Sequence, residues 1–208
     1  MANNVIVGLT GPTGAGKSTA CLEMVMYGCS VIDCDVLAHR VLNENKACQD
    51  ELTARFGEDI IITEGKEKGK MDRKLLGSRA FSSKENTAAL NAITHPHIRA
   101  AMEHEIQKLQ ESGKQVIILD APTLIESGTT AMCDKIIVVT APEAIRKARI
   151  MERDQLTEEA ADARMAAQKP EAFYTEHADF IIDGTLDLCC LSEAVHEIVH
   201  ELKGDHHA

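Results

Sequence analysis

Residues 5–19 read VIVGLTGPTGAGKST, and the order of residue types in this stretch decides the fold class. Residues 5–9 form a short apolar run, a glycine-rich segment follows, and from Lys17 to about residue 27 the composition becomes helical. Strand, loop and helix therefore follow one another without a break. Within the stretch, GPTGAGKS at residues 11–18 fits the full pattern GxxxxGK followed by Ser or Thr, placed after a predicted strand and at the opening of a predicted helix. That arrangement gathers donors. Gly11, Gly14 and Gly16, with Thr13 and Ala15 between them, let backbone N–H groups turn inward, and the helix N-terminus adds positive potential. Lys17 reaches toward the β- and γ-phosphates of a nucleotide, Ser18 offers a hydroxyl to Mg²⁺, and Thr19 continues the first helical turn.

Further apolar runs at 31–32, 116–119, 136–139 and 180–182 are continuous rather than alternating, as in strands buried on both faces of a parallel sheet. Helical segments lie between them at 142–153, 157–168 and 192–202, the second with acidic residues in its first turn. Alternation of this kind predicts an α/β fold with a parallel sheet flanked by helices. The long gap between the second and third strands carries no β signal and reads as helices at 46–56, 73–81, 83–93 and 96–109. It is too long for one crossover. The expected organisation is one domain over 1–208, with a helical insertion at 36–112 and a lid region at 143–168. EGKEKGK at 64–70 reads as a solvated turn or hairpin tip, and the closing GDHHA as a frayed tail.

Composition narrows the function classes. Of 208 residues, 44% are hydrophobic and 26% charged, which excludes collagen-like, mucin-like and wholly disordered chains. Two Tyr, four Phe and no Trp leave little for stacking on bases, and eight Met fill irregular gaps in an aliphatic core. The net charge of −11 opposes non-specific attraction to nucleic acid or anionic lipid, so neither is an expected partner, and an anionic ligand needs a local site. No apolar stretch approaches the roughly 20 residues that span a bilayer, and no secretion signal is read at the N-terminus. Seven Cys at irregular positions then read as reduced thiols of a cytoplasmic protein, mostly small core hydrophobes.

Other residues extend the phosphate loop. Asp33-Cys34-Asp35 ends the second strand, where a carboxylate faces the ligand crevice of a parallel sheet. Such an Asp can take a proton from an incoming hydroxyl, hold Mg²⁺ through water, or cap a helix. Asp120 ends the third strand in the same way and is a second candidate on the Mg²⁺ side. Arg146, Arg149 and Arg153 share one helical face, as a lid clamping phosphoryl charge requires; a solvated face pairing with Glu143 and Glu152 has the same spacing. His95-Pro96-His97 offers two imidazoles without a third ligand, and Pro in the first turn of a helix explains the Pro without metal.

Taken together, the residues resemble the dephospho-CoA kinase family. The resemblance is carried by Gly8-Leu-Thr-Gly11 running into Gly16-Lys-Ser-Thr19, Asp33-Cys-Asp35 with Ala38-His39, Asp72-Arg73, His95-Pro96 with Arg99, Asp120-Ala-Pro122 with Leu124 and Glu126, and Arg149, Arg153, Arg164 and Gln168. It implies a P-loop kinase core, an inserted helical substrate domain and a small helical lid. It also implies ATP and dephospho-coenzyme A as substrates, Mg²⁺ as cofactor, and phosphorylation of the ribose 3′-hydroxyl. By motif, Asp33 is the implied base, Lys17 and Ser18 serve phosphate and Mg²⁺, and Arg149 and Arg153 belong to the lid. Asp35, His39, Arg73, His95, Arg99 and Asp120 fall on the substrate side, with Asp33 or Asp120 reaching Mg²⁺ through water. The chain departs from the family pattern at Thr123, where an apolar residue is usual, and at Gly184, where Asn is usual, and its 64–70 segment is longer. The alternative enzyme reading is another small-molecule or nucleoside monophosphate kinase, which shares every residue of the phosphate site. A nucleotide-dependent switch is the non-enzymatic alternative, with no guanine signature to support it.

Overall fold

The computed structural model describes residues 4–204. In chain order, β1 (Val5–Thr10), α1 (Lys17–Met26) and β2 (Ser30–Asp33) are followed by α2 (Cys34–Glu44), α3 (Lys46–Phe56), α4 (Arg73–Ala80) and α5 (Lys84–Glu111). Then come β3 (Val116–Asp120), β4 (Lys135–Thr140), α6 (Glu143–Asp154), α7 (Glu158–Ala166), α8 (Glu171–Thr175), β5 (Phe180–Asp183) and α9 (Leu188–Gly204). The described residues form two compact units, one up to Asp33 and from Lys108 on, the other from Cys34 to Gln107.

The first unit holds a five-stranded sheet in the order β2-β3-β1-β4-β5 with every neighbouring pair parallel. Continuous apolar runs produce this because helices cover both faces of such a sheet. Val5, Val7 and Leu9 of β1 turn into one core with Ala20 and Met24 of α1 and Leu191, Val195, Val199 and Leu202 of α9. The α9 residues recur at helical spacing and make its buried stripe. Each fully buried aliphatic side chain contributes about 1.5–3 kcal/mol relative to exposure, so β1 alone fixes the centre of the sheet firmly. Leu9 pairs in register with Asp120, and Asp120 with Asp33, so both acids stand at the C-terminal edge of the sheet.

The second unit is helical. Val41, Cys48, Leu52, Phe56, Ile60, Met71, Leu76 and Ala80 form its core. Asn45 caps α3 through the Cys48 N–H at 3.0 Å, and Asp72 caps α4 through the Leu75 N–H at 2.9 Å. The 62–70 segment is a hairpin, closed by the Ile62 N–H on the Lys70 carbonyl at 2.9 Å beside an antiparallel Ile61–Met71 bridge.

Several boundaries differ from the sequence reading. The two helices expected at 83–93 and 96–109 are one, α5, with Pro96 inside it. Proline removes one N–H from the ladder, and burial of Thr94, Met102 and Ile106 on either side of it holds the helix through that gap. A helix not anticipated, α2, begins at Cys34 directly after β2. Helix α9 starts at Leu188 instead of 192, because the Asp187 side chain accepts the Cys190 N–H at 2.9 Å. Of the predicted frayed tail, Gly204 still belongs to α9, and 205–208 lie outside the described residues.

Candidate functional site: a phosphate loop at the mouth of the sheet

The loop at 11–18 leaves β1 and wraps over the start of α1. Gly16 stands at the N-cap with φ 106°, and no side chain caps the helix there, which leaves its first N–H groups to an anionic ligand. Gly14, at φ 78°, lies so near α6 that a Cβ would stand 2.6 Å from the Arg146 carbonyl oxygen. Glycine is therefore required there on two counts, its backbone angle and its space.

A cavity of about 750 Å³ opens over this loop, within the range of small-molecule sites. All eight loop residues line it, together with Pro122, Arg149, Glu152, Arg153, Arg164 and Gln168. Thr19, one residue further, is exposed in the first turn of α1 and bonds its N–H to the Gly16 carbonyl at 3.0 Å.

At the sheet edge Lys17 Nζ is ion-paired with the Asp120 carboxylate, both groups only about one-sixth exposed. Lys17 lines the cavity at the end of the loop, and the pair joins it to the acid that ends β3. Asp33 is exposed beside Asp120 and directly precedes the first residue of α2, so the strand-end acid also occupies the place from which a helix is capped. One turn along α1 from Lys17, burial pushes the Cys21 thiol up to about 11, and Asp120 adds to the rise.

The arginines of α6 are used differently from one another. Arg146 Nε donates to the Ala141 carbonyl at 3.0 Å and ties the helix start to the end of β4. Arg149 brackets the phosphate loop: Nη1 donates to the Gly14 and Ala15 carbonyls at 3.2 and 3.3 Å, and Nη2 to the Gly184 carbonyl at 2.8 Å. Arg153 faces the cavity and is held by Asp154 through two bonds of 2.8 Å, which raises its already high pKa. Arg164 shares the same carboxylate at 2.5 Å. Of the three arginines weighed for pairing with Glu143 and Glu152, Arg146 and Arg149 thus bond backbone carbonyls and Arg153 pairs with Asp154.

Gln168 and Gly184 were not anticipated as contacts of the loop. Gln168 Oε1 accepts the Thr13 N–H at 2.9 Å, across 155 residues of sequence. Gly184 approaches so closely that a Cβ on it would lie 1.7 Å from the Ala15 carbonyl oxygen. A pattern search finds neither, since Gln168 had only the resemblance to mark it and Gly184 appeared only as a departure.

The remaining candidates lie in the helical unit. Asp35 is exposed in the first turn of α2, and half-buried His39 accepts the Asn43 side-chain amide on its carbonyl at 2.9 Å. Arg73 opens α4 and is exposed; His95 is exposed on α5, where Arg99 pairs with Glu103 at 3.1 Å. His97, neighbour of His95, bonds Glu51 at 2.9 Å.

Comparison with known proteins agrees with this layout. A sequence model of the family described as dephospho-CoA kinase matches residues 5–188. A dephospho-CoA kinase of Geobacillus kaustophilus is 40% identical over 177 residues, covering 85% of this chain and 86% of its own length. A crystal structure of TT1252 from Thermus thermophilus superposes with a TM-score of 0.80 at 32% identity, over 97% of this chain and 100% of that one. A dephospho-CoA kinase from Campylobacter jejuni gives 0.70 at 32% identity, over 95% and 96%. The family match starts on the first residue of β1 and ends on the first residue of α9, enclosing the loop, the strand-end acids and every arginine of the cavity, and the chain belongs to the dephospho-CoA kinase family.

Proposed function

We propose that this protein transfers the γ-phosphoryl group of ATP to the ribose 3′-hydroxyl of dephospho-coenzyme A, giving coenzyme A and ADP. The observation that carries the reading is the 750 Å³ cavity whose phosphate loop ends on the Lys17–Asp120 pair, next to Asp33. ATP binding releases Lys17 from Asp120 to the β- and γ-phosphates, and loop N–H groups hold the remaining oxygens. Asp33 takes the proton of the 3′-hydroxyl as its oxygen attacks phosphorus, while Arg149 and Arg153 face the charge that builds on the transferring group. Asp35, His39, Arg73, His95 and Arg99 are assigned to the coenzyme side, where cationic and imidazole groups suit a phosphate-bearing substrate.

The residues at hand fit Mg²⁺. That ion takes one or two carboxylates, substrate phosphates and several waters in place of an all-protein cage. Ser18, exposed in the first turn of α1, and the neighbouring Asp33 and Asp120 offer hard oxygens of this kind. Among the described residues no cluster of three or more His, Cys, Asp or Glu forms a ready-made metal site. Bound magnesium supplies neutralisation of phosphate charge; the protein's part is to present these oxygens and to keep Lys17 within reach.

No helix of the described residues is long and apolar enough to cross a membrane. With a net charge of −11 and seven cysteines, a cytoplasmic setting without nucleic-acid partners is the consistent assignment. The test is a coupled ADP-release assay offering dephospho-coenzyme A, AMP and shikimate side by side. Turnover confined to dephospho-coenzyme A is expected; preference for AMP or shikimate overturns the acceptor assignment.

A further inference from the structure

Helix α9 carries His196-Glu197-Ile198-Val199-His200, two imidazoles four residues apart. This is the spacing with which a helix presents two nitrogens to one metal ion, and the intervening Glu completes the HExxH pattern of helical zinc sites. Here the two rings lie on the solvent side. Val195 and Val199 bury the opposite stripe of the helix, while His196 and His200 are exposed, with ring centres 6.3 Å apart and planes at 49°. His196 also packs at 5.0 Å against the ring of Tyr27, which limits its rotation and holds it on the side facing α1. Both histidines lie well inside a helix whose backbone is fixed by its core stripe, so the separation of their Cα atoms is set before any ion arrives.

We propose that His196 and His200 form a two-histidine chelate for a divalent ion of the nickel, copper and zinc class. Metal–nitrogen bonds of 2.0–2.1 Å bring two imidazole centres to roughly 5 Å, so rotation of the exposed His200 ring by about 1 Å closes the present gap. Imidazole nitrogen suits these ions and not Mg²⁺ or Ca²⁺. Three acids, Glu193, Glu197 and Glu201, share this stretch of the helix against one nearby ammonium, Lys203, whose charge is engaged by the Tyr27 carbonyl at 2.7 Å. Among the described residues no third ligand joins the pair, so water completes the coordination sphere and the ion exchanges readily. The site is separate from the phosphate loop and requires nothing of the kinase reading.

Nickel is the probe, because copper oxidises thiols and two exposed cysteines, Cys189 and Cys190, begin the same helix. The full chain is titrated with Ni²⁺ by calorimetry and by thermal melting, in excess Mg²⁺ to saturate the nucleotide side. One Ni²⁺ is expected to bind and to raise Tm, as any ligand of the native state does. Because two tethered imidazoles act as one multivalent ligand, H196A or H200A is expected to weaken binding at least tenfold, to about the level of a single imidazole, and to remove the rise in Tm. A variant with H206A and H207A, and another with C189S and C190S, are expected to retain both effects. Binding unchanged in H196A or H200A, or lost in the tail or cysteine variant, overturns the proposal. Melting in EDTA at the wild-type temperature checks that each variant is folded.

Discussion

Gly184 is the residue whose replacement tests the site geometry most sharply. An added Cβ would stand 1.7 Å from the Ala15 carbonyl oxygen, 2.9 Å from its carbon and 3.1 Å from the Thr140 carbonyl oxygen. A carbon and an oxygen in contact sit well over 3 Å apart, so G184A demands a displacement of more than about 1 Å, and overpacking of this kind typically costs 1–3 kcal/mol. All three obstacles are backbone atoms, and no side chain can swing aside to absorb the move. The shift therefore falls on the phosphate loop and on the guanidinium of Arg149, which bonds Gly184, Gly14 and Ala15 at once. For a chain of this size each kcal/mol lowers Tm by about 2–4 °C, so a loss of a few to about 10 °C is expected. A 1 Å misplacement in a phosphoryl-transfer site can reduce turnover by about 10²-fold. Steady-state kinetics in ATP, an ATP binding isotherm and a melting curve on G184A read all three quantities, and G184N, which restores the residue usual in the family, is expected to behave at least as badly. A G184A enzyme with wild-type kcat/KM for ATP and unchanged Tm would refute the close-approach reasoning.

Other outcomes follow from the same geometry. K17A is expected to lose turnover heavily while keeping its Tm within a few degrees, since Lys17 pairs at the edge of the sheet and not in the core; near-normal turnover contradicts its phosphate role. R149A should lower both Tm and ATP affinity because it releases three loop carbonyls, whereas R153A, exposed and paired with Asp154, should lower kcat with little change in Tm; equal melting losses in both would remove the distinction. D33N keeps the shape of the side chain but cannot take the proton, and a kcat loss of about 10²–10⁴-fold with ATP binding almost unchanged is expected; recovery at high Mg²⁺ would reassign Asp33 to the metal. Burial holds the thiols of Cys21, Cys29 and Cys48 at about 11 and that of Cys133 at about 12, against an ordinary 9.0. The folded state then keeps protons that the unfolded chain gives up, so these groups stabilise fully below pH 9 and lose that contribution as pH rises through 11–12. Tm should fall over that window, with a shallower slope in C133S; an unchanged slope speaks against the buried-thiol contribution.

Most of the sheet was legible in the sequence because a strand buried on both faces must be apolar without interruption, and five such runs stand out in a chain of only six aromatic residues. Helix ends were less so, for identifiable reasons. The start of α2 escapes because Asp33 reads both as a strand end and as a helix cap, and no loop separates β2 from α2 to decide between them. Pro96 reads as a helix start, and only the burial of Thr94 before it and Met102 after it makes one helix the better solution. The start of α9 was carried by an N-cap signal, Asp187, that lay outside the apolar periodicity used to find the helix.

The site divides along a different line. The phosphate loop is contiguous, so its glycines, Lys17 and Ser18 declare their chemistry through order alone. The acids at strand ends are legible at one remove: a parallel sheet makes its C-terminal edge the ligand face, and any carboxylate there becomes a candidate before its partner is known. Lys17 and Asp120 meet across 103 residues, and Thr13 and Gln168 across 155, with no spacing rule to connect them. Gly184 shows why such contacts escape a pattern: its contribution is the absence of a side chain, and that absence matters only because the backbone of Ala15 occupies the space. Arg149 then makes use of the close approach, since one planar fork can hold carbonyls of two loops only where they lie nearly in contact. Position in this site is therefore fixed partly from behind: Gly184 can govern the loop without touching a reacting atom, while Arg149, which lines the cavity, ties the two loops together.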